Sequence, residues 1–296
     1  MFNHLHKNGY VILPQKIHVP KHIIRECCSL FTRKKVIYTF NGISTSENDK
    51  KRYMSILDES STIQKWMQKT HEMLVKHKLV TDNLFYDYST LLACAAGCKS
   101  QPPHSDYVKS PEFVSLLDHQ NTFQPHTIKK EDCVLYTKEP NPVAVTVKQI
   151  HLDDYPNYYY TIKLPDNTEK QTVFQYLSNL PETENEKYIR HTKIPLFVLT
   201  AIMDNTTIDV WENSINWMQM ADNETFQPSV QKKTLTLQSG QICVFRSDLV
   251  HAGSAYSNEN IRIYSFYNGY HILPDKNKVY MFGNNTEWEK EIASAN

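Results

Sequence analysis

Neither sign of charge is in excess in this chain: 32 lysines and arginines face 32 aspartates and glutamates over 296 residues. No global field therefore draws it to nucleic acid or anionic lipid, although a local basic groove fits within a neutral total. Also missing is any apolar run of membrane-spanning length. The opening MFNHLHKNGY has neither the basic start nor the apolar stretch of a secretory signal, so the expectation is an intracellular, cytoplasmic protein with no membrane partner. Cysteine is scarce. Cys27, Cys28, Cys94, Cys98, Cys133 and Cys243 are too few for a disulfide framework at this length and read as reduced thiols, and Cys94 and Cys98 lack the CxxC spacing of a zinc pair. The sequons at Asn205, Asn223 and Asn284 read as chance matches in an Asn-rich chain. No internal repeat or disordered linker stands out, only a polar tail after about Glu287.

What is present is a change of pattern along the chain. A short helix over 3–7 ends at Gly9, and Tyr10-Val11-Ile12-Leu13 follows as an apolar strand closed by Pro14. Pro20 suits the first turn of a helix carrying Ile23, Ile24, Cys27, Cys28 and Phe31. Ser60 or Ser61 caps another with Ile63, Trp66, Met67, Thr70 and Leu74, and both stripes read as packing against a sheet. From about residue 84 short β-rich runs take over, at 84–94, 133–137, 143–149, 157–164, 196–203, 207–211, 234–237, 241–245 and 261–267, with a helix expected at 169–178. Many short strands without long helices between them mean a sandwich or barrel. One domain over 1–296 is expected: 1–83 as helical support, 84–107 and 191–270 as the β core, and 108–190, rich in Tyr, Asn, Lys and Pro, as an insertion on the substrate side.

The informative local feature is Gln101-Pro-Pro-His104-Ser-Asp106, which follows the apolar Leu91-Leu92-Ala93-Cys94. On an extended segment side chains alternate, so an HxD triplet points an imidazole and a carboxylate to the same face, where they can share a metal ion. Alone the triplet is weak, because His104 also reads as a loop histidine and Asp106 as a turn residue. A second region has matching logic: a strand, the Gly240 turn, a strand, His251, and then Ile261-Arg262-Ile263-Tyr264. Two histidines and one carboxylate make the facial set that leaves open positions on ferrous iron, two for the keto-acid end of 2-oxoglutarate and one for O2. Arg262 lies in an apolar run where a buried cation needs a partner, and its planar guanidinium suits the far carboxylate of 2-oxoglutarate. The plainer alternative is an edge-strand arginine facing water or bridging to an acidic residue.

These segments resemble the non-haem Fe(II)/2-oxoglutarate-dependent dioxygenase superfamily, and within it the phytanoyl-CoA-hydroxylase-like branch. LHKNGYVILP is similar to the opening helix and strand, QPPHSDY to the first ligand motif, FVLTAIMDNTTIDVWENS to the central strand pair, and SGQICVFRSDLVHAGSAYSNENIRIYSFY to the distal histidine and arginine. The resemblance implies a mainly β fold with flanking helices around a double-stranded β-helix (jelly-roll, cupin-like) core. It further implies Fe(II), 2-oxoglutarate and O2 as cofactors and cosubstrates, with His104, Asp106 and His251 as metal ligands and catalytic residues and Arg262 as cosubstrate anchor. The reaction implied is hydroxylation or oxidative demethylation of an organic substrate with release of succinate and CO2. Asp106 is retained where halogenating relatives carry Ala or Gly. Two departures concern substrate selection: Glu212-Asn213-Ser214 stands where a GSH-like motif often ends the strand pair, and 108–190 has no recognised counterpart.

Gln101, Ser254 and Tyr88 are further candidates, the first two for hydrogen bonds to a ligand or a coordinating imidazole, the third for the cosubstrate carboxylate. The plainer reading makes them polar loop residues and one of 18 packed tyrosines. His119, His126, His151 and His191 lack ligand spacing and read as ordinary, and Tyr158-Tyr159-Tyr160 reads as a strand with one ring buried. A small-molecule or acyl substrate is expected, with a protein or nucleic-acid substrate and a non-catalytic metal-binding β-barrel as the competing readings. Oligomeric state is unreadable from the sequence.

Overall fold

Consecutive rather than alternating apolar residues mark strands covered on both faces, and LFVLTA and ICVFR are such runs. A computed structural model describes residues 1–33, 51–57, 61–107, 110–117, 125–151, 158–212, 214–215, 217–219, 232–269, 272–273 and 280–281. In chain order the elements begin with α1 (Phe2–Asn8), β1 (Tyr10–Ile12), α2 (Lys21–Arg33), β2 (Arg52–Ile56), α3 (Thr62–Lys76), β3 (Leu84–Cys94) and β4 (His104–Ser105). Next come α4 (Pro111–Leu117), β5 (Cys133–Tyr136), β6 (Val143–His151), β7 (Tyr159–Lys163), β8 (Glu169–Val173), β9 (Leu177–Ser178) and α5 (Glu184–His191). The chain closes with β10 (Leu196–Ala201), β11 (Thr206–Trp211), β12 (Lys232–Leu237), β13 (Ile242–Arg246), β14 (His251–Gly253), β15 (Asn260–Gly269) and β16 (Tyr280–Met281).

Two compact units result, 1–110 with 192–296, and 111–191. The first holds two antiparallel sheets, in strand orders β1-β13-β10-β15-β3-β2 and β12-β11-β14-β4-β16. They form the double-stranded β-helix of a mainly β protein with flanking helices. In β10, β13 and β15 every residue is buried. The helical stripes cover one face of the larger sheet: Ile23 and Cys27 of α2 and Ile63, Trp66, Met67 and Leu74 of α3 join Leu91, Ala93, Val198, Val244 and Ile263 in one apolar core. Ser61 is the cap of α3, its side chain accepting from the Gln64 amide at 3.0 Å, whereas Ser60 lies outside the described residues.

The turn that sends β13 back through the core depends on Gly240. Its φ is +79°, and a Cβ there would lie 1.9 Å from the Ile17 carbonyl oxygen, which is backbone and has nowhere to go. The left-handed conformation alone costs a side chain about 1–2 kcal/mol, and the collision adds to it. Gly240→Ala is therefore expected to destabilise the protein by at least about 2 kcal/mol and to lower its melting temperature by roughly 4–8 °C. Thermal unfolding against wild type checks this.

The second unit is a five-stranded antiparallel sheet, β8-β7-β6-β5-β9, with its own core of Val134, Tyr136, Val145, Val147, Tyr160 and Ile162. Here one expectation is corrected. Residues 169–178 are not a helix but β8, a short 3-10 turn and β9. Asn167, at φ +70°, and Asp166, which accepts from the Thr168 amide at 3.0 Å, form a tight turn that folds β8 back onto β7 from Tyr159↔Val173 to Lys163↔Glu169. That ladder outweighs the helical spacing. Of the three adjacent tyrosines, Tyr160 is fully buried and Tyr158 and Tyr159 half-buried. His151 stacks on Tyr159 at 4.1 Å, His191 ends α5, and His119 and the His126 side chain lie outside the described residues.

Candidate metal centre and its cavity

His104 and His251 are cross-strand partners. β4 and β14 pair antiparallel with His251 opposite His104, which sets the imidazole centroids 4.7 Å apart. Asp106, two residues beyond His104, returns to the same side: Oδ1 is 3.7 Å from His104 Nε2 and Oδ2 is 3.7 Å from His251 Nε2. Each of the three residues offers one ligand atom, all within 4.8 Å of one another, and all three side chains are buried.

Backbone carbonyls, which only accept, fix both tautomers. His104 Nδ1 donates to Pro102 O at 2.8 Å and His251 Nδ1 to Leu249 O at 3.0 Å, so each Nε2 keeps its lone pair. Tyr264 donates its hydroxyl to His251 Nε2 at 3.3 Å. Asp106 Oδ1 is buried with no hydrogen-bond partner. A buried carboxylate oxygen normally has one, and an orphaned acceptor between two imidazole lone pairs is the arrangement a divalent cation completes. Two nitrogens and one oxygen are also the donor types that suit iron. The residues present thus fit the metal.

Protonation states agree with that fit. Burial, and next the neighbouring His251, pull the His104 imidazole down to about 4. Burial pushes the Asp106 carboxyl up, but the adjacent His251 and His104 outweigh it and hold Asp106 below its usual value. A histidine kept neutral in the fold yet free to protonate near pH 6.5 when unfolded makes the unfolded state bind more protons between those two values. Its contribution to stability is whole above pH 6.5 and is lost as pH falls towards 4. The metal-free protein should lose up to about 2 kcal/mol between pH 7 and pH 5 through this group. Chemical denaturation at the two pH values measures the loss, which His104→Ala should reduce.

The cluster opens on a small cavity lined by Leu92, Gln101, His104, Asp106, Ile208, His251, Gly253, Arg262 and Tyr264. Arg262 reaches it from β15, flanked by Leu92 of β3 and Ala201 of β10. It is buried, Nη1 donates to Cys94 Sγ at 3.2 Å, and among the described residues no carboxylate pairs with it. Such a guanidinium facing a cavity is a receptor for an anion. Gln101 Oε1 accepts from the Gly253 amide at 2.9 Å, so it lines the cavity while tying down the strand that carries His251. Ser254 instead donates to Asp209 Oδ1 at 2.9 Å, and Tyr88 stacks on Phe266 at 4.5 Å; neither lines the cavity.

Leu92, Ile208, Gly253 and Tyr264 line the cavity and Arg52 supports it, and none of the five was among the sequence candidates. Tyr264 carried a signal, since two positions after Arg262 on a strand means the same face. Arg52 carried none: from β2 it donates to Gly253 O at 3.1 Å and Ser254 O at 2.7 Å, contacts some two hundred residues away in sequence. Gly253 belongs to the same contact, because a Cβ there would sit 2.4 Å from Gln101 Oε1 and 2.6 Å from Arg52 Nη1. At the departure from the family pattern, Ser214 accepts from the Val250 amide at 2.9 Å and Glu212 pairs with Lys233 at 2.8 Å, whereas Asn213 lies outside the described residues.

Among solved structures the chain is similar to SnoN, a non-heme alpha ketoglutarate dependent epimerase from nogalamycin biosynthesis. Identity is 11%, the TM-score is 0.52, and the match covers 90% of this chain and 81% of that one. It is also similar to AviO1 from Streptomyces viridochromogenes Tue57, at 10% identity and a TM-score of 0.50, covering 92% and 95%. At these identities the likeness is one of fold. No family model matches the chain, and no curated protein matches it. Among the described residues no helix is long and apolar enough to cross a membrane.

Proposed function

We propose that this protein is an Fe(II)- and 2-oxoglutarate-dependent oxygenase in which His104, Asp106 and His251 hold the metal and Arg262 anchors the cosubstrate. One observation carries the reading: a buried His-Asp-His set with an orphaned carboxylate oxygen shares a cavity with a buried arginine that has no carboxylate partner among the described residues. Iron with 2-oxoglutarate and O2 supplies the oxidation of a substrate C–H bond, with release of succinate and CO2. The protein's own residues do the rest. Pro102 and Leu249 orient the two imidazoles through their carbonyls, and Asp106 adds a negative charge that offsets part of the cation's. Arg262 takes the far carboxylate, and Leu92 and Ile208 keep the cavity wall apolar, so water has few partners there.

The substrate in this reading is a small molecule or acyl compound, hydroxylated or oxidatively demethylated, as in the phytanoyl-CoA-hydroxylase-like branch. The chain leaves the first ligand motif at Tyr107 and returns at β10, so we place substrate selection in the intervening 108–190 insertion of a single dioxygenase domain. Succinate formation from 2-oxoglutarate under air tests the activity. Wild type with iron(II) should convert 2-oxoglutarate slowly even without substrate, and Asp106→Ala should not. Conversion at the same rate in both would remove these ligands from the reaction, and none in folded, iron-loaded wild type with varied substrates would favour a non-catalytic barrel.

A further inference from the structure

Two buried guanidiniums converge on one sulfur. Arg262 Nη1 lies 3.2 Å and Arg52 Nη1 3.3 Å from Cys94 Sγ, at the end of β3. The next four residues turn back: Cys98 N donates to Ala95 O at 3.2 Å, Gly97 takes a φ of +76°, and Cys98 bridges to Tyr256. Cys94, Cys98 and Tyr256 then pack together as a small buried cluster, which brings the two thiols side by side. Cysteine pairs brought together by a short turn can close a disulfide with little backbone movement.

We propose that Cys94 and Cys98 are a redox-active dithiol that closes to a disulfide on reaction with a hydroperoxide, and that closure strengthens the grip of Arg262 on 2-oxoglutarate.

The surroundings select Cys94 as the attacking sulfur. The hydrogen bond from Cys98, then Arg262 and Arg52, hold its ionisation well below that of an ordinary thiol. Burial instead pushes Cys243 and Cys27 up to about 12, where no thiolate forms at neutral pH. The Cys94 thiolate attacks one peroxide oxygen, the O–O bond breaks, and Cys94 sulfenic acid and hydroxide result. The Cys98 sulfur then displaces water from that sulfenic acid as its own proton is lost. Two electrons pass from the sulfurs to hydrogen peroxide, which ends as two waters. Before closure the thiolate competes with an incoming carboxylate for Arg262; afterwards the sulfur is neutral and the guanidinium is left for the carboxylate. Removing one like charge from beside a buried anion site is worth about tenfold in Kd or more.

The affinity part rests on the reading of Arg262 as cosubstrate anchor, whereas the disulfide is read by itself. Reduced full-length protein is titrated with hydrogen peroxide, blocked with N-ethylmaleimide after denaturation and digested with trypsin. The expected result is that the peptide spanning 79–99 becomes two hydrogens lighter and refuses the label, reversibly with dithiothreitol, while Cys243 and Cys27 stay labelled. Cys98→Ser should trap a sulfenic acid at Cys94 by dimedone instead. Calorimetry with zinc(II)-loaded protein should then give 2-oxoglutarate a Kd about tenfold lower in the oxidised form and in reduced Cys94→Ser. Fully labelled Cys94 and Cys98 after Cys28 and Cys133 are consumed would overturn the pair, and equal Kd in the two forms would overturn the coupling. Absence of 2-oxoglutarate binding in both forms would overturn the anchor and with it the coupling, while the peptide map still decides the disulfide.

Discussion

His251→Ala raises the Kd for iron(II) by at least about a hundredfold, because it removes one of three protein donors; loss of mere supporting groups around metal ligands already costs tenfold to a hundredfold. The imidazole does little else. Its ring sits 5.1 Å from Phe245 and 6.0 Å from Phe197, and among the described residues its side chain hydrogen-bonds to Leu249 O and the Tyr264 hydroxyl. The truncation should therefore cost stability only about 1–2 kcal/mol, the ordinary range for a single substitution. Anaerobic competition with a chromogenic chelator measures the affinity, and circular dichroism verifies the fold. Tyr88→Phe, which alters a ring stacked on Phe266, is the matched control and should leave the metal Kd unchanged.

Arg262→Ala separates the cosubstrate from the metal. Truncating one partner of a buried, hydrogen-bonded charge pair costs about 2–5 kcal/mol, so the Kd for 2-oxoglutarate should rise by about a hundredfold while the iron(II) Kd stays within about threefold. Arg262→Lys should recover only part of the loss, since an ammonium lacks the fork that meets a carboxylate with two parallel bonds. The apoprotein gives a second, independent expectation. In the apoprotein the guanidinium is hydrogen-bonded to the Cys94 sulfur, which is an anion in the reduced state, so its removal strands that charge beside Arg52 alone and should destabilise the reduced, metal-free protein. Denaturation of Arg262→Ala in the double variant with Cys94→Ser, where no thiolate is left unpaired, should show a smaller loss.

Why some of this was legible in the sequence and some was not follows from the range of the interactions. Period-two alternation is local, so His104 and Asp106 announce a shared face, and Arg262 in an apolar strand announces an unmet need for an anion. Tyr264 was readable by the same rule. By contrast β4 and β14, two and three residues long, are too short to show periodicity, and they exist because His104 and His251 stand opposite each other across the sheet. The Arg52 clamp on Gly253 and Ser254 joins the start of β2 to the end of β14, and no local pattern encodes it. Residues 169–178 went astray for a related reason: the Asp166-Asn167 turn hands that segment a ready strand partner in β7, and tertiary pairing overrode helical spacing.

Anaerobic addition of iron(II) and then 2-oxoglutarate to the purified apoprotein, followed by visible absorption, joins the metal ligands and the cosubstrate anchor in one measurement. Chelation of ferrous iron by the keto acid should give a metal-to-ligand charge-transfer band that is absent in His104→Ala and requires about a hundredfold more 2-oxoglutarate in Arg262→Ala. A folded, iron-loaded wild-type protein that shows no band would contradict the assignment and leave a β-barrel that binds metal without binding 2-oxoglutarate.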